Sequence, residues 1–249
     1  MLLGLKLPLN SWQKSSFNQV RYASSPSSKR WIARQVRDQF VKKALSQNYR
    51  ARSAFKLLEL DQKYNFINPG SIFIDCGAAP GSWSQVISRK IYPELDLTIE
   101  QTEVVDKKLN DSLIIAVDLL PIEPIPGVNV IQGDFTDINI QQKIKELLKG
   151  REVDVVVSDM APNFSGQHFI DHVKSMELCE SGLNFAEQVL KIGGTFLCKF
   201  LMGESEQEFR NLLKTKFNRI RHEKPEAVHK KSTEGYYMCL GYKRRVDNS

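Results

Sequence analysis

The chain has 249 residues, enough to bury a sizeable core and compatible with one α/β domain plus appendages. Nothing in it approaches the run of about twenty apolar residues that spans a bilayer. Its four cysteines, Cys76, Cys179, Cys198 and Cys239, lack the close-paired spacing of zinc sites and read as reduced core thiols. The net charge of +6 is unevenly spread: residues 1–56 hold twelve Lys/Arg against the single acid Asp38, a net of +11, and the remainder nets −5. The basic character is therefore local, which excludes a uniformly basic protein and points to one cationic segment.

Residues 1–28 are free of acids and rich in serine. They carry Lys6, Lys14 and Arg21 among Leu2, Leu3, Leu5, Leu7 and Leu9. This is the composition of a mitochondrial transit peptide, with Arg21-Tyr22-Ala23-Ser24 as an arginine-directed processing site, and it predicts a matrix location. The alternative is a basic arm that stays attached. A secretory signal fits less well, because Lys6 interrupts the apolar run.

From Lys29 to Lys56 the basic residues continue with helical periodicity. Trp31, Val36, Phe40, Leu45, Phe55 and Leu58 are candidates for a core-facing stripe. Arg30, Arg34, Arg37, Lys42, Lys43, Arg50 and Arg52 are left for solvent or a polyanion. A solvated helix face is the usual explanation of such charges. The near absence of balancing acids favours contact with nucleic-acid phosphates.

After residue 60, strand and helix patterns alternate. SIFID (71–75) leads through the loop GAAPGSW to the helix SQVISRK. LIIAVDL (113–119) and VNVIQGDF (128–135) are further strands, and IQQKIKELLKG (140–150) is a helix. VDVVVSD (153–159), a helix through 176–191, GGTFLCKF (193–200), a helix over 206–217 and a last strand over 235–243 complete the pattern. Such alternation predicts a doubly wound, mostly parallel sheet with helices on both faces, preceded by the basic helical extension. Residues 29–249 thus form one domain, and the acidic stretch 92–112 reads as an insertion loop.

The chemistry gathers at strand tips. Asp75 and the loop Gly77-Ala78-Ala79-Pro80-Gly81-Ser82-Trp83 put small residues where a ligand approaches the backbone. The loop lacks G-x-G-x-x-G, and Pro80 removes a backbone donor that a pyrophosphate uses. A cofactor without phosphates, such as S-adenosylmethionine, fits better than a dinucleotide, although a plain strand-to-helix turn also accepts glycine. Asp118 in AVDLL is placed for ribose hydroxyls, Asp134 in QGDF for the adenine, and Asp159 in VVVSDMAPN for the reactive end of the cofactor. Any one of these aspartates could merely cap a turn; four of them, at 75, 118, 134 and 159, favour a ligand site. Lys199 in FLCKF ends a neighbouring strand and is a candidate general base beside Asp159, a role that requires surroundings favouring its neutral form.

The runs GAAPGSWSQ, AVDLLP, QGDF, SDMAPNFSG and LCKF, spread over residues 30–245, resemble the FtsJ family of ribose 2′-O-methyltransferases. The resemblance implies a Rossmann-like, S-adenosylmethionine-dependent methyltransferase with a Lys-Asp-Lys-Glu tetrad. It puts Lys56 in RSAFKLLEL, Asp159, Lys199 and Glu234 in KSTEGYY at those four positions. Spacing alone gives Lys56 a partner in Glu59 one turn on, and leaves Glu234 an ordinary strand-edge acid. The implied cofactor contacts come from Gly77, Pro80, Gly81, Ser82, Trp83, Asp118, Asp134 and Asp159, and no metal is required.

Together with the leader, the resemblance implies 2′-O-methylation of a uridine in mitochondrial large-subunit ribosomal RNA, supporting ribosome assembly, with the RNA presented within an assembly particle. Lys214, Lys216, Arg219, Arg221, Lys230 and Lys231 are further candidates for holding its backbone. The alternatives are a tRNA or capped-mRNA 2′-O-methyltransferase, a chiefly RNA-binding assembly factor and, at the level of the sheet alone, a nicotinamide oxidoreductase.

Overall fold

The computed structural model describes residues 38–93 and 111–244. The leader, most of the 92–112 insertion, Trp31 and Val36 lie outside the described residues. The chain divides into two units, residues 1–52 and 53–249.

In the first unit, α1 (Gln39–Ser46) starts at Asp38, whose side chain accepts from the Phe40 amide. It stops because Asn48 takes a left-handed conformation. The Tyr49 amide then reaches back to the Ala44 carbonyl at 2.8 Å, and that of Asn48 to Leu45 at 3.3 Å, so the last turn is satisfied internally. The expected helical stripe is therefore interrupted, and Leu45 is exposed, not core. Arg52 pairs with Asp38, which neutralises one of the cations offered to a polyanion.

The second unit is a seven-stranded sheet. Its strands are β1 (Ile72–Cys76), β2 (Leu113–Asp118), β3 (Val128–Gln132), β4 (Val153–Ser158), β5 (Leu190–Leu201), β6 (Phe217–Glu223) and β7 (Glu234–Tyr242). Its helices are α2 (Ala54–Tyr64), α3 (Ser82–Ile91), α4 (Ile138–Leu148), α5 (His168–Val189) and α6 (Glu206–Lys216). The strand order is β3-β2-β1-β4-β5-β7-β6, parallel except that β7 runs antiparallel to both β5 and β6. The central strand β1 is buried at all five positions, which is why it reads as a continuous apolar run instead of an alternating one.

Two expectations change. Strand β6 was absent from the sequence reading: FNRIRHE has no period-2 apolar alternation, and it pairs on one side only, with β7, as a charged edge strand. Strand β3 ends at Gln132, so Asp134 lies in the following turn and not at the strand tip. Its Oδ1 there accepts from the Thr136 amide at 2.9 Å and the Thr136 hydroxyl at 2.7 Å. On α6, Lys216 is committed to Glu187 at 2.7 Å, whereas Arg219, Lys230 and Lys231 remain exposed.

The chain builds outward from β1 to β2 and β3, then crosses to β4 on the other side of β1. The sheet therefore opens a crevice between the tips of β1 and β4. The Asp159 amide bonds the Cys76 carbonyl at 3.1 Å across this gap, and Gly77, at φ 73°, backs directly onto Met160. A Cβ at Gly77 would lie 2.6 Å from Met160 Cγ, 2.8 Å from its Cα and 2.9 Å from its N, so moving the methionine side chain would still leave a clash with backbone. Gly77→Ala combines left-handed strain with a forced separation of the two tips. It is expected to cost about 3 kcal/mol, seen as a fall in Tm of roughly 6–12 °C. An unchanged Tm would mean that the tips can part freely.

Candidate active site

Strand register assembles the reactive cluster. Ser158 is level with Cys198 on the parallel neighbour, so the next residues, Asp159 and Lys199, meet at the sheet edge. Lys199 is in turn directly opposite Tyr236 on β7. Glu234 and Tyr236, two apart on a strand, share a face. Helix α2 brings Lys56 in from the other side.

The resulting contacts form a continuous chain that runs Lys199–Asp159–Tyr236–Glu234–Lys56. Lys199 Nζ lies 3.1 Å from Asp159 Oδ1 and also donates to the Asp159 carbonyl. Lys56 Nζ lies 2.5 Å from Glu234 Oε1. The Tyr236 hydroxyl stands between the two pairs, 2.8 Å from Asp159 Oδ1 and 2.7 Å from Glu234 Oε1. Lys56 also sits over the Tyr236 ring, 5.7 Å from its centroid. Lys56 thus chooses Glu234 over its helical neighbour Glu59, which accepts from the Glu226 amide. Burial would raise the Asp159 carboxyl, but the Lys199 and Lys56 ammoniums and the Tyr236 hydroxyl together hold it below the usual range. Burial, with two carboxylates facing it, pushes the Tyr236 phenol well up, so it remains a hydrogen-bond donor.

Tyr236 escaped the sequence reading, although its period-2 relation to Glu234 was a usable signal. The indole of Trp83, an expected cofactor contact, is buried. Its Nε1 donates to the Ser53 carbonyl at 2.9 Å and its ring packs on Tyr236, with centroids 5.8 Å apart. The Ser82 hydroxyl, also buried, meets that of Ser53 at 2.6 Å. Both residues tie the start of α2, and hence Lys56, to the glycine loop.

The acids of the crevice differ in what occupies them. Asp118 Oδ2 accepts from the Ala79 amide and Oδ1 from the Leu120 amide, each at 2.8 Å, so it shapes the loop while keeping lone pairs for a hydroxyl. Asp75 is fully buried, with Oδ2 accepting from the Ser84 hydroxyl at 2.6 Å. Its Oδ1 is the one buried side-chain polar atom among the described residues without a partner. Burial, with Asp159 and Asp118 nearby, pushes the Asp75 carboxyl up to about 7 against the hydrogen bond from Ser84. Three carboxylates around a glycine loop that lacks the Pro80 donor fit a cationic, hydroxyl-bearing ligand without phosphates. Gly77, Pro80, Gly81, Asp118 and Asp159 stand at or just beyond the ends of β1, β2 and β4, with Asp134 in the turn beyond β3.

Asp75 holds its proton to about pH 7 in the folded chain and only to the ordinary 3.8 when unfolded. Between those values the folded state binds more protons, so stability falls as pH rises. Relative to Asp75→Asn, the wild type is expected to lose on the order of 4 kcal/mol between about pH 4 and pH 7, measured by urea unfolding across that range. A constant difference would mean that Asp75 is ionised throughout.

Comparison with known proteins agrees with this geometry. The sequence profile of the FtsJ-like methyltransferases matches residues 49–242. The ribosomal RNA large subunit methyltransferase E of Parvibaculum lavamentivorans is 41% identical over 225 residues, 90% of this chain and 85% of that protein. Its counterpart in Acinetobacter baumannii is 40% identical over 222 residues, 89% and 95% of the two chains. The crystal structure of a ribosomal RNA methyltransferase, putative, from Plasmodium falciparum superposes with a TM-score of 0.66 at 32% identity, covering 79% of this chain and all of that one. Both the crevice at the β1/β4 switch point and the sequence matched across it place the chain in the FtsJ-like methyltransferase family.

Proposed function

We propose that this chain methylates the 2′-oxygen of a uridine ribose in mitochondrial large-subunit ribosomal RNA, with S-adenosylmethionine as the methyl donor. The observation that carries the chemistry is the placement of Lys199 Nζ against Asp159 at the mouth of the crevice, beside the Lys56–Glu234 pair. The substrate class is supported by relatives that are named as large-subunit ribosomal RNA methyltransferases. A ribose 2′-hydroxyl also requires RNA and not DNA. The mitochondrial location rests on the composition of residues 1–28.

S-adenosylmethionine supplies an already activated methyl, so the protein's part is chiefly positioning and proton removal. In its neutral form the Lys199 amine accepts the proton of the 2′-hydroxyl as the oxygen is alkylated. Asp159, kept ionised by its neighbours, holds Lys199 in place and stabilises the ammonium that forms. Lys56 and Glu234 orient the hydroxyl, and Tyr236 fixes Asp159 and Glu234 relative to each other. The exposed Arg219, Lys230 and Lys231 contact the RNA backbone, as do the cations of residues 29–50.

With labelled S-adenosylmethionine and mitochondrial large-subunit particles, the wild type is expected to label one uridine 2′-oxygen. Lys199→Ala should lower kcat by about 10²–10⁴-fold while RNA binding persists. Label on a base, or an active Lys199→Ala, would sink the mechanism. Label that passes only to tRNA or capped RNA would reassign the substrate. Lys199→Ala that leaves ribosome assembly intact would separate methyl transfer from any assembly role. In cells, a chain lacking residues 1–28 should fail to reach the mitochondrion, and its arrival there would refute the role given to the leader.

A further inference from the structure

Among the Phe, Tyr and Trp side chains of the described residues, only Phe164 and Phe169 are exposed, at 66% and 65%. Both lie in the segment that follows the reactive Asp159: Phe164 in the loop after β4, Phe169 in the first turn of α5. Phe164 is five positions after Asp159, which keeps their Cα atoms within about 18 Å even if the loop is fully extended.

The loop that carries Phe164 and leads into the turn of α5 holding Phe169 is fixed at both ends. At the β4 end, Asp159 is held by Lys199 and Tyr236. At the α5 end, the buried Asp171 carboxylate gathers the chain. Its Oδ1 accepts from the Ser165 amide and hydroxyl, each at 2.7 Å, and its Oδ2 accepts from the Gly166 amide at 3.3 Å. The Ser165 hydroxyl oxygen in turn accepts from the Gln167 amide at 3.1 Å, and Gly166 makes the turn at φ 82°. These bonds hold the Asp171 carboxyl below its ordinary range. The backbone on either side of the Phe164 ring is thus ordered, although that ring buries little of its own surface.

From this arrangement we infer that Phe164 and Phe169 form a stacking platform for an unpaired nucleobase close to the ribose being methylated. The inference rests on the RNA-methylation reading above and deepens it. Every base has a π face, and an aromatic side chain fixed beside a reacting ribose captures a neighbouring base without reading its identity. Large contiguous apolar patches mark surfaces that dock proteins or membranes. Here the rings are set among exposed Asn163, Ser165, Gly166, Gln167 and His168, which suit the polar edges of a base.

The test uses the full chain and its Phe164→Leu/Phe169→Leu and Phe164→Tyr/Phe169→Tyr double variants. The probes are an unmodified large-subunit ribosomal RNA transcript and a single-stranded oligouridylate. Leucine keeps the apolar surface and removes the π face, whereas tyrosine keeps both. The leucine pair is expected to raise the Kd for oligouridylate, and the KM for the transcript, on the order of 10- to 100-fold. Its kcat at saturating RNA and its KM for S-adenosylmethionine should stay near those of the wild type, and the tyrosine pair should restore the lost affinity. Phe164→Trp should show indole fluorescence quenched on addition of oligouridylate. If the leucine pair binds and methylates RNA as the wild type does, the platform is refuted while the methyltransferase reading stands. Equal losses in both pairs refute stacking in favour of a shape contact. A wild type that neither binds nor methylates RNA refutes both.

Discussion

Everything at the mouth of the crevice depends on how the charge of Asp159 is balanced. A carboxylate at this depth is costly to keep ionised unless cations and donors surround it. Lys199, Lys56 and the Tyr236 hydroxyl more than offset burial, so the acid stays charged. Glu234 supplies the fourth charge, and the four side chains sum to zero. Losing one cation would leave an uncompensated buried carboxylate, at a cost of about 3–5 kcal/mol. The cluster is therefore a folding constraint as well as a chemical one, and its members hold one another in place.

That balance can form only because the sheet delivers its parts in register. Asp159 and Lys199 are 40 residues apart and Lys56 and Glu234 are 178 apart, yet each pair meets within a salt-bridge distance. Parallel pairing of β4 with β5 sets the first meeting, and the antiparallel β7 sets the second by returning along β5. Lys56 stands on a helix, and a helix can rotate. The Trp83 bond to the Ser53 carbonyl and the Ser82–Ser53 hydroxyl contact restrain that rotation, so the end of the glycine loop helps to position Lys56.

Much of this was legible from sequence where side-chain type and backbone period agree. The apolar runs ending in Asp75, Asp118 and Asp159 could be read as buried strands with acids at their tips, because a both-faces-covered sheet leaves polar groups only there. Strand β6 was not legible, since a charged edge strand presents no apolar alternation and the helical periodicity before it runs into Phe217. Leu45 was misplaced because helix periodicity carries no information on where Asn48 breaks the helix. The partnership of Lys56 with Glu234 is a tertiary fact; local spacing offers Glu59 instead, and only the family resemblance singled out Glu234.

The four aspartates show why residue type alone underdetermines role. Asp134 spends an oxygen on Thr136, Asp118 uses both oxygens to hold backbone amides, Asp159 is locked to a lysine, and Asp75 keeps one oxygen with no partner at all. The same carboxylate is thus a turn cap, a loop brace, an electrostatic anchor and an unspent acceptor within one sheet edge. What separates these roles is the number of donors the backbone brings to each oxygen and how far water is excluded. Tyr236 extends the same logic: one phenolic proton faces two carboxylates at 2.8 and 2.7 Å, so it cannot satisfy both fully. The two ammoniums complete what it leaves undone, which makes the lysines necessary to the geometry of the site before any proton is transferred.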